Sequence, residues 1–201
     1  VCKEEVREKE VLKDYSGLRD YYKGMFSKIS FFHFNSTISQ AIYSFRLGEV
    51  KGTVVSISHS GIFDRRKKRS FVKKMRLGYF GGWDMHKGFF LLLQVCGELY
   101  EEGCRDMELH VYSDTEKRKE PFIINHKKFH AGQLSETLEN IDLLAVPSVC
   151  AETFGFVVLE ALSCGVPVVV SDYVGAKDLL RAHPGCGVSF DGTADGLKEI
   201  L

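Results

Sequence analysis

The stretch IDLLAVPSVCAETFGFVVLEALSCGVPVVVS, residues 141–171, decides the fold. It opens on an apolar run, 141–146, that reads as a buried strand. A loop from Pro147 to Gly155 follows, then helical spacing over 156–164, then a β-branched strand over 166–170. Strand, loop, helix and strand in this order make a right-handed βαβ unit of a parallel sheet.

Working outward, the same rhythm extends in both directions. Upstream, Met75–Phe80 reads as a strand ending in Gly81-Gly82. Residues 87–100 read as a helix with Phe90, Leu91, Val95 and Leu99 on one side, and Met107–Tyr112 as the next strand. Short extended pieces at 122–124 and 128–130 and a brief helix at 134–138 complete the link to residue 141. Downstream, 175–180 reads as helix, Gly187–Phe190 as extended and 195–201 as helix. The expected fold class is α/β, a doubly wound Rossmann-like parallel sheet.

Ahead of this lies a short helical and strand appendage. Residues 1–30 read as one or two surface helices and 31–34 as an aromatic strand. Asn35 or Ser36 is placed to cap a helix at 38–43, and 53–57 reads as another strand. The expected division is a unit at 1–50 and a ligand-binding domain at 51–201. Ligands of doubly wound sheets sit beyond the C-terminal strand ends. That directs attention to the loops after Phe80, Val146 and Val170.

Composition excludes several classes. The 201 residues are 44% hydrophobic and 27% charged, as in globular domains. Lys+Arg and Asp+Glu number 27 each, so no net charge drives nucleic-acid binding. The longest apolar runs, 89–93 and 166–170, fall far below the roughly 20 residues a membrane span needs. The N-terminal residues carry no signal-peptide pattern. Six cysteines contain no C-x-x-C pair, which points to reduced thiols in the cytoplasm, with Cys96 and Cys164 as small core residues. Residues 65–76 hold eight basic side chains in twelve positions. That run reads first as a solvated connector and second as a contact for phosphates or a membrane surface.

The chemistry concentrates in two loops. A helix starting near Gly155 offers unpaired N–H groups and the positive end of its dipole, an anion site that Gly155 leaves open to close approach. Glu152 precedes that helix and Glu160 lies about one turn inside it, so the two carboxylates reach different parts of one ligand. Carboxylates beside an anion site suit a ligand bearing both hydroxyls and phosphates, as a nucleotide sugar does. Singly, each Glu reads equally well as a surface ion pair or a dipole partner; jointly they favour a site. In the loop after Phe80, Gly81-Gly82 leaves space for a ligand and Lys87 can bring an ammonium to phosphates.

Glu152-x7-Glu160 with its flanks resembles the signature of retaining GT-B glycosyltransferases of the group-one family (glycosyltransferase family 4). GYFGGWDMHKG resembles that family's first donor loop, KKFHAGQLSETLENIDLLAVPS its base-binding turn and VVVSDYVGAKDLL its closing strand-loop-helix. FFHFNSTISQAIY and VVSISHSGIFD resemble the end of its acceptor domain and the interdomain crossing. The resemblance implies that Glu160 binds ribose hydroxyls and Glu152 the donor sugar. Backbone groups of Thr153, Phe154, Gly155, Phe156 and Val157 hold sugar and diphosphate beside Gly81 and Gly82. Lys87 neutralises the β-phosphate, and the backbone near 129–132 faces the base. Lys87 and Glu152 are thus the implied catalytic residues. No cofactor and no metal is implied, the donor being a nucleotide-diphosphate sugar.

Three positions depart from the family pattern: Gly82 stands where an Arg is common, Asp178 where a Glu is common, and the loop 58–61 lacks a proline. His86 or the basic connector is the candidate to replace the missing Arg. The resemblance further implies a glycan or lipid-linked acceptor in surface-polysaccharide synthesis, held by an N-terminal domain upstream of Val1. A peripheral contact with the inner membrane face fits the basic run. The crossing C-terminal helix is expected beyond Leu201, so these 201 residues are expected to bind nucleotide weakly and not to turn over alone. Two other readings stay open: a sugar-nucleotide epimerase of the same fold, and a non-catalytic nucleotide-binding module.

Overall fold

A computed structural model of the chain describes residues 15–55, 57, 74–130 and 133–201. The larger unit is a six-stranded sheet built from β3 (Met75–Phe80), β4 (Met107–Tyr112), β5 (Ile123–His126), β6 (Leu143–Val146), β7 (Val168–Ser171) and β8 (Gly187–Phe190). All pairings are parallel, in the order β5-β4-β3-β6-β7-β8. The chain builds outward from β3 to β5, then returns to the other side of β3 and builds outward again to β8. The strand order therefore reverses between β3 and β6. A crevice opens there because successive connections leave in opposite directions.

Period-two alternation sends side chains to two cores. Leu77, Tyr79, Leu109, Val111 and Val169 pack on one face with α3 (Phe89–Glu101) and Leu197 of α7 (Ala194–Ile200). Leu144, Val146, Val168 and Val170 pack on the other with α4 (Leu134–Glu139), α5 (Phe156–Ser163) and α6 (Lys177–Ala182). Strands buried on both faces read as continuous apolar runs, which is why β7 is all Val before its terminal Ser171.

The helix expected at 87–100 starts instead at Phe89, capped by Gly88 in the left-handed region at φ 73°. Its buried stripe is Phe89, Leu92, Val95 and Cys96, and Phe90 is exposed. Phe89, Leu92 and Cys96 form one i, i+3, i+7 row, with Val95 beside it. Gly88 is fixed by packing, since a Cβ there would lie 1.8 Å from the Pro147 carbonyl oxygen. This contact draws the start of α3, and Lys87 before it, against the end of β6. The extended piece expected at 128–130 is irregular, and β5 runs to His126.

The appendage contributes α1 (Tyr15–Phe26), β1 (Phe32–Phe34), α2 (Thr37–Leu47) and β2 (Gly52–Val54). β1 and β2 pair in parallel as a separate two-stranded sheet, so Gly52–Val54 lies with the appendage rather than with the six-stranded sheet. Phe26, Phe32 and Phe34 each stack near Tyr43, with centroids 5.5–6.0 Å away, joining α1, β1 and α2. Ser36, not Asn35, caps α2 by accepting the Ser39 N–H. The expected loop at 58–61 and most of the basic run lie outside the described residues. Of that run, Lys74 pairs with Glu108 at 2.8 Å and Arg76 with Asp142 at 2.9 Å. Cys96 is a core residue whose thiol burial pushes up to about 12. Cys164 is half-buried.

At the sheet edge, His126 Nε2 lies 3.0 Å from His110 Nδ1. Two ring nitrogens this close share one proton, so at most one of the two rings can be charged. Burial lowers the pKa of both, and for His110 the His126 charge adds to it. A histidine with depressed folded-state pKa contributes stability that is present above its unfolded value, about 6.5, and is lost as pH falls through the folded value. Thermal unfolding scans between pH 7.5 and 5 should show the midpoint falling with acid, and His126→Gln should flatten that slope. An unchanged slope in the variant would remove the pair as the cause.

Candidate functional site

The C-terminal ends of β3 and β6 frame a cavity of about 530 Å3, lined by Tyr79, Phe80, Lys87, the 144–148 segment, Glu152 and Thr153 to Val157. A second cavity of about 520 Å3 shares Phe80 and Val157 with it. Its other walls are Gly81, Gly82, Tyr112, Ser113, Asp114, Thr115, Lys128 and Phe129. The two form one trough across the switch point, within the size range of small-molecule sites.

Lys87 Nζ lies 3.0 Å from Glu152 Oε2. Ser148, fully buried, donates its hydroxyl to Glu152 Oε1, and Ser171 holds the Ser148 carbonyl at 2.5 Å. The carboxylate is thus oriented from one side by a hydroxyl and from the other by an ammonium. Lys87 is half exposed, so the pair is weak, worth about 0–1 kcal/mol, and exchangeable for another anion.

The loop between β6 and α5 is anchored by its carbonyls. The Glu152 oxygen accepts the Gly175 N–H at 3.0 Å, the Phe154 oxygen the Ala176 N–H at 2.6 Å, and the Thr153 oxygen the Ser36 hydroxyl at 2.5 Å. Among the described residues, the N–H groups of Thr153, Phe154, Gly155, Phe156 and Val157 have no acceptor. Gly155 caps α5 at φ 92°, where a Cβ would also come within 2.8 Å of Val174. The glycine is therefore demanded by backbone conformation and packing as well as by room for a ligand.

The structure brings Lys87, Glu152, Thr153, Phe154, Gly155, Phe156 and Val157 to the first cavity, and Gly81 and Gly82 to the second. Glu160 lies one turn beyond Phe156 and Val157 and lines neither cavity. It is exposed, although burial around its carboxyl raises its pKa. His86 Nδ1 sits 3.2 Å from Cys150 Sγ, beside the trough. Phe129 packs on Phe80 at 4.7 Å as an aromatic wall, whereas sequence reasoning considered only its backbone. Ser148 was equally silent: its signal, a hydroxyl four residues before Glu152, is common to many strand ends.

Among the described residues, no group of three or more His, Cys, Asp or Glu is placed to hold a metal ion, and no helix is long and apolar enough to cross a membrane.

The fold recurs in solved structures. HepE of Anabaena, crystallised with UDP and glucose, aligns at TM-score 0.62 and 21% identity over 85% of this chain and 52% of its own. Sucrose-phosphate synthase from Thermosynechococcus elongatus aligns at TM-score 0.67 and 16% identity, over 96% and 53%. WaaG, a glycosyltransferase involved in lipopolysaccharide biosynthesis, aligns at TM-score 0.62 and 18% identity, over 84% and 52%. The chain thus spans about half the length of each of these structures. No curated protein sequence matches it. Residues 74–200 match the family described as Glycosyl transferases group 1, and that span includes the whole six-stranded sheet and both cavities. The chain belongs to the group 1 glycosyltransferases, with a Rossmann-like sheet of the GT-B type.

Proposed function

We propose that residues 74–201 form the donor-binding domain of a retaining glycosyltransferase of family 4, which transfers a hexose from a nucleotide-diphosphate sugar. Residues 15–55 are the end of the acceptor-binding domain in this reading. The observation that carries it is the row of acceptor-free N–H groups from Thr153 to Val157, set at the sheet's switch point beside Lys87 and Glu152. A diphosphate supplies the acceptors those groups lack, and its charge is favoured by the dipole of α5.

The chemistry follows from exchange of partners. Lys87 leaves Glu152 for the β-phosphate and offsets the charge that grows as the glycosidic bond breaks. This interaction strengthens toward the transition state and so accelerates the step. Glu152, released from Lys87 and still oriented by Ser148, accepts hydroxyl protons of the sugar. Glu160, one turn into α5, takes the ribose hydroxyls. Phe129 and Phe80 form the wall nearest the base. The diphosphate is held by backbone N–H groups and Lys87, without a metal.

UDP is the first nucleotide to test, since HepE was crystallised with it. The acceptor is proposed to be a glycan or a lipid-linked sugar of a surface polysaccharide, reached at a membrane face through the basic run. A facing acceptor domain is required for turnover, so the 201 residues are expected to bind nucleotide without transferring sugar. A sugar-nucleotide epimerase of the same fold shares the donor contacts and differs in needing no acceptor.

Calorimetric titration with UDP, GDP, ADP and CMP tests the site. One diphosphate should bind, and Glu160→Ala should weaken it by about 10- to 100-fold, the loss of charge-assisted hydrogen bonds worth roughly 1.5–3 kcal/mol. A Cβ at Gly82 meets only Thr115 Cγ2, at an ordinary 3.5 Å. Gly82→Arg should therefore fold normally and tighten binding by adding a guanidinium near the phosphates. Equal affinity of wild type and Glu160→Ala would contradict the assigned ribose contact.

A further inference from the structure

Resting on that donor-site reading, we infer that Ser36 and Asp178 are positioning residues: they latch the appendage to the anion-binding loop and so aim its N–H groups. Asp178 draws attention first. Its carboxylate accepts the Thr37 N–H at 2.7 Å through Oδ2 and the Thr37 hydroxyl at 2.9 Å through Oδ1. It thereby binds the first turn of α2 from α6, a separation of 141 residues in sequence. Next to it, Ser36 is fully buried; its hydroxyl accepts the Ser39 N–H at 3.0 Å and spends its single proton on the Thr153 carbonyl. Gly175 permits this approach, since a Cβ there would lie 2.5 Å from Ser36 Oγ and 2.3 Å from the Thr153 oxygen.

The consequence comes from peptide planarity. In a trans peptide the C=O and the following N–H point in opposite directions. Fixing the Thr153 carbonyl on Ser36 turns the Phe154 N–H away from the appendage, just as Ala176 fixes the Phe154 carbonyl and turns the Gly155 N–H away from the 174–178 segment. These two N–H groups have no acceptor among the described residues, and Phe154 and Gly155 line the first cavity. Among the described residues the Thr153 carbonyl has no other anchor of this strength: Ser39 Oγ lies 3.3 Å from the same oxygen, with its proton directed to Asn35 Oδ1 at 2.5 Å. The orientation of the loop thus depends on a residue outside the family's matched span of 74–200.

The test compares wild type, Ser36→Ala and Asp178→Asn in the full chain. Amide exchange of Gly175 and Ala176, read by NMR without nucleotide, reports whether the loop is held; it should speed up at least tenfold in Ser36→Ala while the amides of β6 and β7 keep their rates. UDP affinity should fall about tenfold in Ser36→Ala, and to a smaller extent in Asp178→Asn, which keeps one carbonyl acceptor for Thr37. Unchanged exchange at Gly175 and Ala176 in both variants overturns the latch whether or not UDP binds. Lower melting temperature with wild-type UDP affinity also overturns it, since that is the mark of a purely structural contact. UDP bound by none of the three proteins overturns the donor reading instead, and faster exchange in Ser36→Ala then still upholds the latch.

Discussion

Five successive backbone amides, Thr153 to Val157, face no acceptor among the described residues, and much of the surrounding structure exists to hold them so. Unpaired N–H groups are costly when desolvated, by about 1–3 kcal/mol each, so a fold keeps them only where water or a ligand reaches them. Here they sit at the end of β6, where strand order reverses. The loop cannot relax by flipping its peptides, because its carbonyls are taken by Gly175, Ser36 and Ala176. The glycine at 155 supplies the left-handed turn that starts α5 in this position.

Charge is arranged around those amides with the same economy. Lys87 and Glu152 neutralise each other in the trough, so neither stands as an isolated partly buried charge. Because Lys87 is half exposed, the pair gives way readily to a stronger anion. The Arg76–Asp142 pair, by contrast, is bidentate and tied to the backbone of β3, and it serves the sheet. The two basic side chains of the 65–76 run that the structure describes, Lys74 and Arg76, are thus structural. The remainder of that run lies outside the described residues.

Much of this was legible from residue order. β3, β4 and β8 carry the bounds that residue order announces, because each stops at a turn pair, Gly81-Gly82, Ser113-Asp114 and Asp191-Gly192. The doubly wound sheet and the loops after Phe80 and Val146 follow from βαβ alternation alone. Local caps were less legible: a left-handed Gly88, packed against Pro147, moves the start of α3 by two residues. Contacts between distant segments were not legible at all. Asp178 shows in sequence only as a shortened Glu, yet its carboxylate reaches Thr37 across 141 positions. Ser148 and Phe129 carry no local mark that separates them from other strand-end hydroxyls and loop aromatics.

The proposed diphosphate site is the row of orphaned amides. Backbone amide NMR of the uniformly labelled chain during UDP titration tests it most directly. The largest shifts should fall on Thr153 to Val157 with smaller ones at Gly81, Gly82 and Lys87, since a hydrogen bond to phosphate moves an amide proton strongly. Shifts confined to other segments, with the 153–157 amides unmoved at saturation, would contradict it.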